Sequence, residues 1–322
     1  ATGKLKSFTS AIDEKGNDVS KLIEKLDEIH LDTFEEGRFQ GVAKEHFVEL
    51  EIPPGIGKGT RISIVADGWL HPTDTSLNVA ISQSDFEKPN TLSLDVQNET
   101  GEWKTVKDDF GVPAGKLKTV VVELPENTRR ARLRTNSEVF WDRISWAENS
   151  SENDLQIRKL ELSSAELRFR GFSVIEKKND SSPEIPDYNR IATTIERWRS
   201  IEGYYTRYGD IRDLLLDVDD RYAIVSAGDE MRLQFDELPP VKPGFKRDFV
   251  IIGDGWIKEG DYNNVFSKTV LPLPSHLGND YSRRPTTLED DPVYKRHSED
   301  WQNYHTRYVA PTRFLNAMRK NR

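Results

Sequence analysis

FVELEIPPGIGKGTRISIVADGW, residues 47–69, carries the change of period on which the fold turns. Val48, Leu50 and Ile52 alternate with Glu49 and Glu51, and Ile62 and Ile64 alternate with Arg61 and Ser63. A period of two sends one set of side chains to a core and the other to water, so both runs read as half-buried strands. Pro53-Pro54-Gly55 between them is turn chemistry. The same alternation returns at Leu92, Leu94 and Val96, at Thr119 to Leu124, at Ala131 and Leu133, and in a strand holding Val139, Trp141 and Ile144. Asn98 to Gly101 and Pro113 to Gly115 punctuate these runs. Short strands at such spacing predict a sandwich or jelly roll.

Working outward, Val19, Leu22, Ile23, Leu26 and Ile29 stand at helical spacing behind Asn17 and Asp18, which predicts an amphipathic amino-terminal helix. Past the polar stretch Glu148 to Asp154, a second alternating run begins at Ala165, Leu167 and Phe169. A short helix at Ile211 to Val218, a strand at Met231, Leu233 and Phe235, and an apolar strand at Phe249 to Ile252 follow. Beyond Leu271 the chain is rich in proline and charge, yet it carries Tyr281, Tyr294, Trp301, Tyr304 and Tyr308. Large rings at that density anchor a segment onto a body. The organisation expected is an amino-terminal helix and lead-in over 1–36 and a first β-sandwich module over 37–147. A second β-rich module over 148–270 and an aromatic-rich extension over 271–322 complete it. The fold class is mainly β: two sandwich or jelly-roll-like modules, a few short helices and a long carboxy-terminal wrap.

The chain has 322 residues, a formal charge of −9 and no cysteine. The negative balance speaks against nucleic acid as a partner, since that binding rests on clustered Lys and Arg. Arg130, Arg132 and Arg134 share one strand face and read as a solvated one. Disulfides, zinc-thiolate sites and cysteine nucleophiles are excluded. No apolar run reaches the roughly 18 residues of a membrane span, and the amino terminus has no signal-peptide pattern. The six histidines lack metal-ligand spacing, and no nucleophile elbow or phosphate-binding glycine loop occurs.

RISIVADGW (61–69) and DFVIIGDGW (248–256) share a phrase, which suggests a duplicated β unit. Asp67, Trp69, Asp254 and Trp256 are therefore candidate ligand-binding residues, a carboxylate and an indole around a permissive glycine. Asp254, Glu259, Asp261, Asn263 and Asn264 supply closely spaced oxygens of the kind calcium takes. Tyr294, Trp301, Tyr304 and Tyr308 are candidate interface residues. No catalytic residue is assigned.

GNDVSKLI (Gly16–Ile23), GRFQGVAKEHFVELEI (Gly37–Ile52), RLRTNSEVFWDRI (Arg132–Ile144), RFRGFS (Arg168–Ser173), YTRYGDIRDLLLDVDDRYAI (Tyr205–Ile224) and RDFVIIGDGWIKEGDYN (Arg247–Asn263) fall in order along the chain. Together they resemble the carboxy-terminal module of bacterial multidomain proteins that carry FG-GAP repeats and an ASPIC/UnbV segment. The resemblance implies a secreted or periplasmic protein and an accessory, noncatalytic binding or assembly module, joined to a glycan, an envelope component or a protein partner. This chain has no propeller-like repeat array, so an excised or separately encoded piece is expected. Two alternatives stand beside it: a carbohydrate-active or other hydrolase with carboxylates in an inter-module cleft, and a fixed subunit of a larger complex.

Overall fold

A computed structural model describes residues 3–53, 61–98, 100–149, 156–260, 267–273 and 287–320. The chain forms two compact units, the first of residues 1–156 with 175–186, the second of 157–174 with 187–322. The first is built mainly from antiparallel strands, and the second combines short antiparallel strands with short helices.

In the first unit the strands are β1 (Lys6–Ser7), β2 (Ala11–Asp13), β3 (Val42–Glu51), β4 (Ile62–Leu70), β5 (Ser93–Gln97), β6 (Trp103–Lys107), β7 (Lys118–Leu124), β8 (Arg130–Ser137) and β9 (Val139–Glu148). They form a four-stranded sheet in the order β1-β9-β4-β7 and a five-stranded sheet in the order β2-β3-β8-β5-β6. Ile62, Ile64 and Ala66 of one sheet and Val48, Leu50, Leu94, Ala131 and Leu133 of the other lie in one core. The alternation of the sequence is thus the inner face of a β-sandwich.

One expectation fails here. Residues 19–29 are not helical: Val19 and Ile23 are buried, but Leu26 and Ile29 are exposed. This segment is a strap fixed by long-range bonds, with the Val19 amide donating to Ala11 O and the Ile144 amide to Ile23 O. The amides of Asp27 and Glu28 both donate to the carboxylate of Asp142, which is fully buried. A helix would carry its hydrogen bonds within itself, so the loss of these buried partnerships opposes it. After β4 comes a helix, Thr75–Ser82, with the Asp74 side chain accepting from the Leu77 amide at 2.7 Å.

The second unit holds β10 (Leu162–Phe169), β13 (Gly203–Tyr205), β14 (Gly209–Asp210), β15 (Asp229–Phe235) and β16 (Arg307–Val309). A ribbon of β11 (Phe172–Glu176) and β12 (Ile185–Thr193) has its turn, 175–186, in the first unit. β10 lies between β14 and β15, and β15 ends that sheet among the described residues. Leu162, Ala165, Leu167, Ile211 and Leu214 form one small core; Ile201, Tyr205, Val270, Leu273, Trp301 and Val309 form another. The short helix read at Ile211 to Val218 is a single 3-10 turn, Arg212–Leu214. Phe249 to Ile252 form no strand, so the phrase shared with β4 does not mark a duplicated β unit. The difference lies in pairing: β4 is bonded on both sides, by β7 and β9, whereas among the described residues no strand pairs with 248–256.

No helix among the described residues is long and apolar enough to cross a membrane.

Candidate functional site

Asp67 and Trp69 project from the outer face of β4, opposite to Ile64 and Ala66. Asp67 stands across from Arg143 on β9 and Thr119 on β7. Its carboxylate accepts from Arg143 Nε at 2.9 Å, Arg143 Nη2 at 2.7 Å and Thr119 Oγ1 at 2.5 Å. The register then shifts, because β9 carries one extra residue, Asp142, against the step from Asp67 to Gly68. Trp69 stacks on Phe140 at 4.5 Å, and its indole N–H donates to Ser181 O at 2.9 Å. Both side chains are thereby held by the fold itself.

Around them lies a cluster that spacing in the sequence does not announce. Phe34 stacks on His46 and meets Phe140 edge-on; Trp69 meets His30 and His71. His71 Nδ1 pairs with Glu138 at 2.6 Å. His30 and His46 are buried, and burial pushes both imidazoles below their ordinary range, so they are neutral. These residues come from four separate segments, so only the folded chain joins them.

On the outer face of the five-stranded sheet the arginines are not simply solvated. Arg130 and Arg132 both bind the buried Glu49, and Arg134 binds Asp95 through Nε at 2.7 Å. Burial pushes the Asp95 carboxyl up, yet the Arg134 and Thr105 hydrogen bonds more than offset it and hold it below its ordinary range. The Arg132 guanidinium lies over the rings of Phe47 and Trp103 at 4.1 and 3.8 Å. This is an ordered ladder of charge across β3, β8 and β5.

Asp67 and Trp69 belong to the first unit, whereas Asp254 and Trp256 are exposed and belong to the second. They belong to an irregular stretch in which Phe249, Val250, Ile251, Ile252, Trp256 and Ile257 are 60–90% exposed. Its end is pinned by Lys258, whose amine donates to Val270 O at 3.1 Å and Pro272 O at 2.7 Å. Burial pushes that amine down to about 8. Of the candidate calcium ligands, Asp254 and Glu259 are exposed, while Asp261, Asn263 and Asn264 lie outside the described residues. Among the described residues no three His, Asp or Glu side chains are grouped to hold a metal. Nearby in sequence, Met231, Leu233 and Phe235 of β15 are each about two-fifths exposed.

The carboxy-terminal aromatics lie in the second unit. Trp301 is buried against Tyr294 and His305, and the Tyr304 hydroxyl donates to Asp213 Oδ2 at 3.1 Å. Tyr308 is exposed, with its hydroxyl donating to Glu202 Oε1 at 2.5 Å. β16 pairs with β13, and Asp300 takes a two-point contact from Arg221, which holds its carboxyl below the ordinary range. Tyr281 lies outside the described residues. No protein-family model matches the chain, and no curated protein matches it.

Proposed function

We propose that this chain is a noncatalytic assembly module that binds protein through its second unit. The observation that carries this reading is the run from Phe249 to Ile257, six large apolar side chains at 60–90% exposure in one short stretch. Contiguous apolar surface of that kind marks an interaction site, and an unpaired edge such as β15 is a template for another strand. The hydrolase alternative draws no support from Asp67, Glu49, Asp95, Asp142 or Asp300, whose carboxylates are bound to arginines or backbone amides.

The test is purification of the chain from its source with partners retained, followed by reconstitution from purified components. Ile251→Asp and Ile257→Asp should each remove the reconstituted complex while the melting temperature of the isolated chain stays the same, because neither side chain is packed. Complexes that survive both changes would place the contact elsewhere and end this reading.

A further inference from the structure

Lys258 is the point at which the chain rejoins the body of the second unit after a long detour. The detour starts behind Asp236, whose amide donates to Glu161 O at 3.2 Å. Among the described residues, the hydrogen bonds of 237–257 stay within that stretch, from the Phe245 amide to Lys242 O and from Arg247 to Pro239 O. Lys258 then reaches Val270 O and Pro272 O. These acceptors are fixed from behind: Val270 is buried with Ile201, Tyr205 and Leu273, and its amide donates to Glu202 O at 2.9 Å.

Two carbonyls do not complete the surroundings of an ammonium, which brings three N–H donors and a full charge. No carboxylate pairs with this one among the described residues. Withdrawing a cation from water without a counter-ion favours its neutral form, in keeping with an amine held near 8 rather than at the ordinary 10.5. The neutral amine fits the place better. It has two N–H groups, one for each carbonyl, and its lone pair is left unengaged. Lys258 is half-buried between Ile257, 90% exposed, and the exposed Glu259, so a small solute can reach it.

We infer that Lys258 is a modification site that takes an acyl group from a small acyl phosphate. The lone pair attacks the acyl carbon, the bond from that carbon to the phosphate oxygen breaks, and the amine proton leaves with the phosphate. The products are an amide and inorganic phosphate, so no further reactant is needed. A desolvated lysine is an activated nucleophile of this kind. At pH 8 about half of the amine is neutral, against roughly three in a thousand for an ordinary lysine. Its lower basicity returns part of that advantage and leaves a rate gain on the order of tenfold. The resulting amide has one N–H, so at most one carbonyl keeps its donor and the far end of 237–257 comes loose. Acylation thereby controls how the stretch holding Ile251 and Ile257 is presented. That consequence rests on the assembly reading, whereas the chemistry at Lys258 does not.

The test treats the full chain with acetyl phosphate from about pH 7 to about pH 9.5 and follows each lysine by peptide mass spectrometry. At neutral pH Lys258 should acetylate about tenfold faster than Lys242 and Lys246, which are exposed in the same detour. Its rate should level off above about pH 8, where a lysine of ordinary ionisation keeps gaining. The fully acetylated parent should melt a few degrees lower. Lys258→Arg keeps donors for both carbonyls and takes no acetyl group, so its melting temperature should not move under the same treatment. A Lys258 that reacts no faster than the other two, or whose rate climbs without levelling, overturns the site. Equal losses of melting temperature in the parent and in Lys258→Arg overturn the release. If Lys258 behaves as expected while Ile251→Asp and Ile257→Asp leave every complex intact, the modification stands and the assembly reading falls.

Discussion

His305 is 4% exposed, packed edge-on against Trp301 at 4.7 Å, with Nδ1 3.1 Å from the Thr206 hydroxyl. The Ile224 amide also donates to that hydroxyl, whose own proton can be given to Nδ1 of a neutral ring. Burial pushes the imidazole down to about 4 from its ordinary 6.5. Between those two values the unfolded chain binds a proton that the folded chain does not, so stability rises with pH across that window. The contribution is complete above pH 6.5 and falls away toward pH 4, by up to about 3 kcal/mol. His305→Gln retains a hydrogen-bonding side chain without the titration. Its melting temperature should therefore drop less than that of the parent between pH 7 and pH 4.5; equal drops would show that the ring does not carry this linkage.

At the scale of the element, the two Asp-Gly-Trp phrases separate what a residue pattern specifies from what pairing specifies. Gly68 meets the bulge of β9, and a Cβ there would lie 2.5 Å from Phe140 O and 2.9 Å from the Trp141 ring; at Gly255 a Cβ would meet nothing within 4 Å. Gly68→Ala should destabilise the protein by about 1–3 kcal/mol in urea unfolding, and Gly255→Ala by less than about 0.5 kcal/mol. Similar losses at both positions would mean that close approach is not what Gly68 serves. Alternation read β3, β4, β5, β7, β8, β9, β10 and β15 from the chain because one face of each is buried or apolar, and that signal is local. Val19 to Ile29 misled because helical spacing also suits a strap that buries only Val19 and Ile23, and the Asp142 carboxylate that organises it is more than a hundred residues away. The exposure of Phe249 to Ile257 was equally hidden: its composition is that of an interior strand, and only the missing neighbour distinguishes it from β4.

Across the whole molecule, the first unit is not one continuous stretch of chain, since it needs 175–186 as well as 1–156. That returning turn binds the strap through Lys178 Nζ to Asp27 O at 2.7 Å and Asn179 Nδ2 to Glu28 O at 2.9 Å, and it receives the Trp69 indole N–H at Ser181 O. A protein ending at residue 156 should consequently melt below one ending at 186, by a few degrees if the partly buried Trp69 bond and the two exposed bonds to the strap are lost. Equal melting temperatures would mean that the turn adds nothing to the unit. There is also a consequence in time. A ribosome making this chain releases the last pieces of the first unit only after the opening strand of the second has emerged, and at about 5–20 residues per second the thirty-residue gap lasts roughly 2–6 s. During that interval the strap over Asp142 lacks its outer partners, and the nascent sandwich is at its most open to proteases and chaperones. A slow codon between residues 156 and 186 would lengthen that vulnerable stage, whereas one after 186 would leave it unchanged.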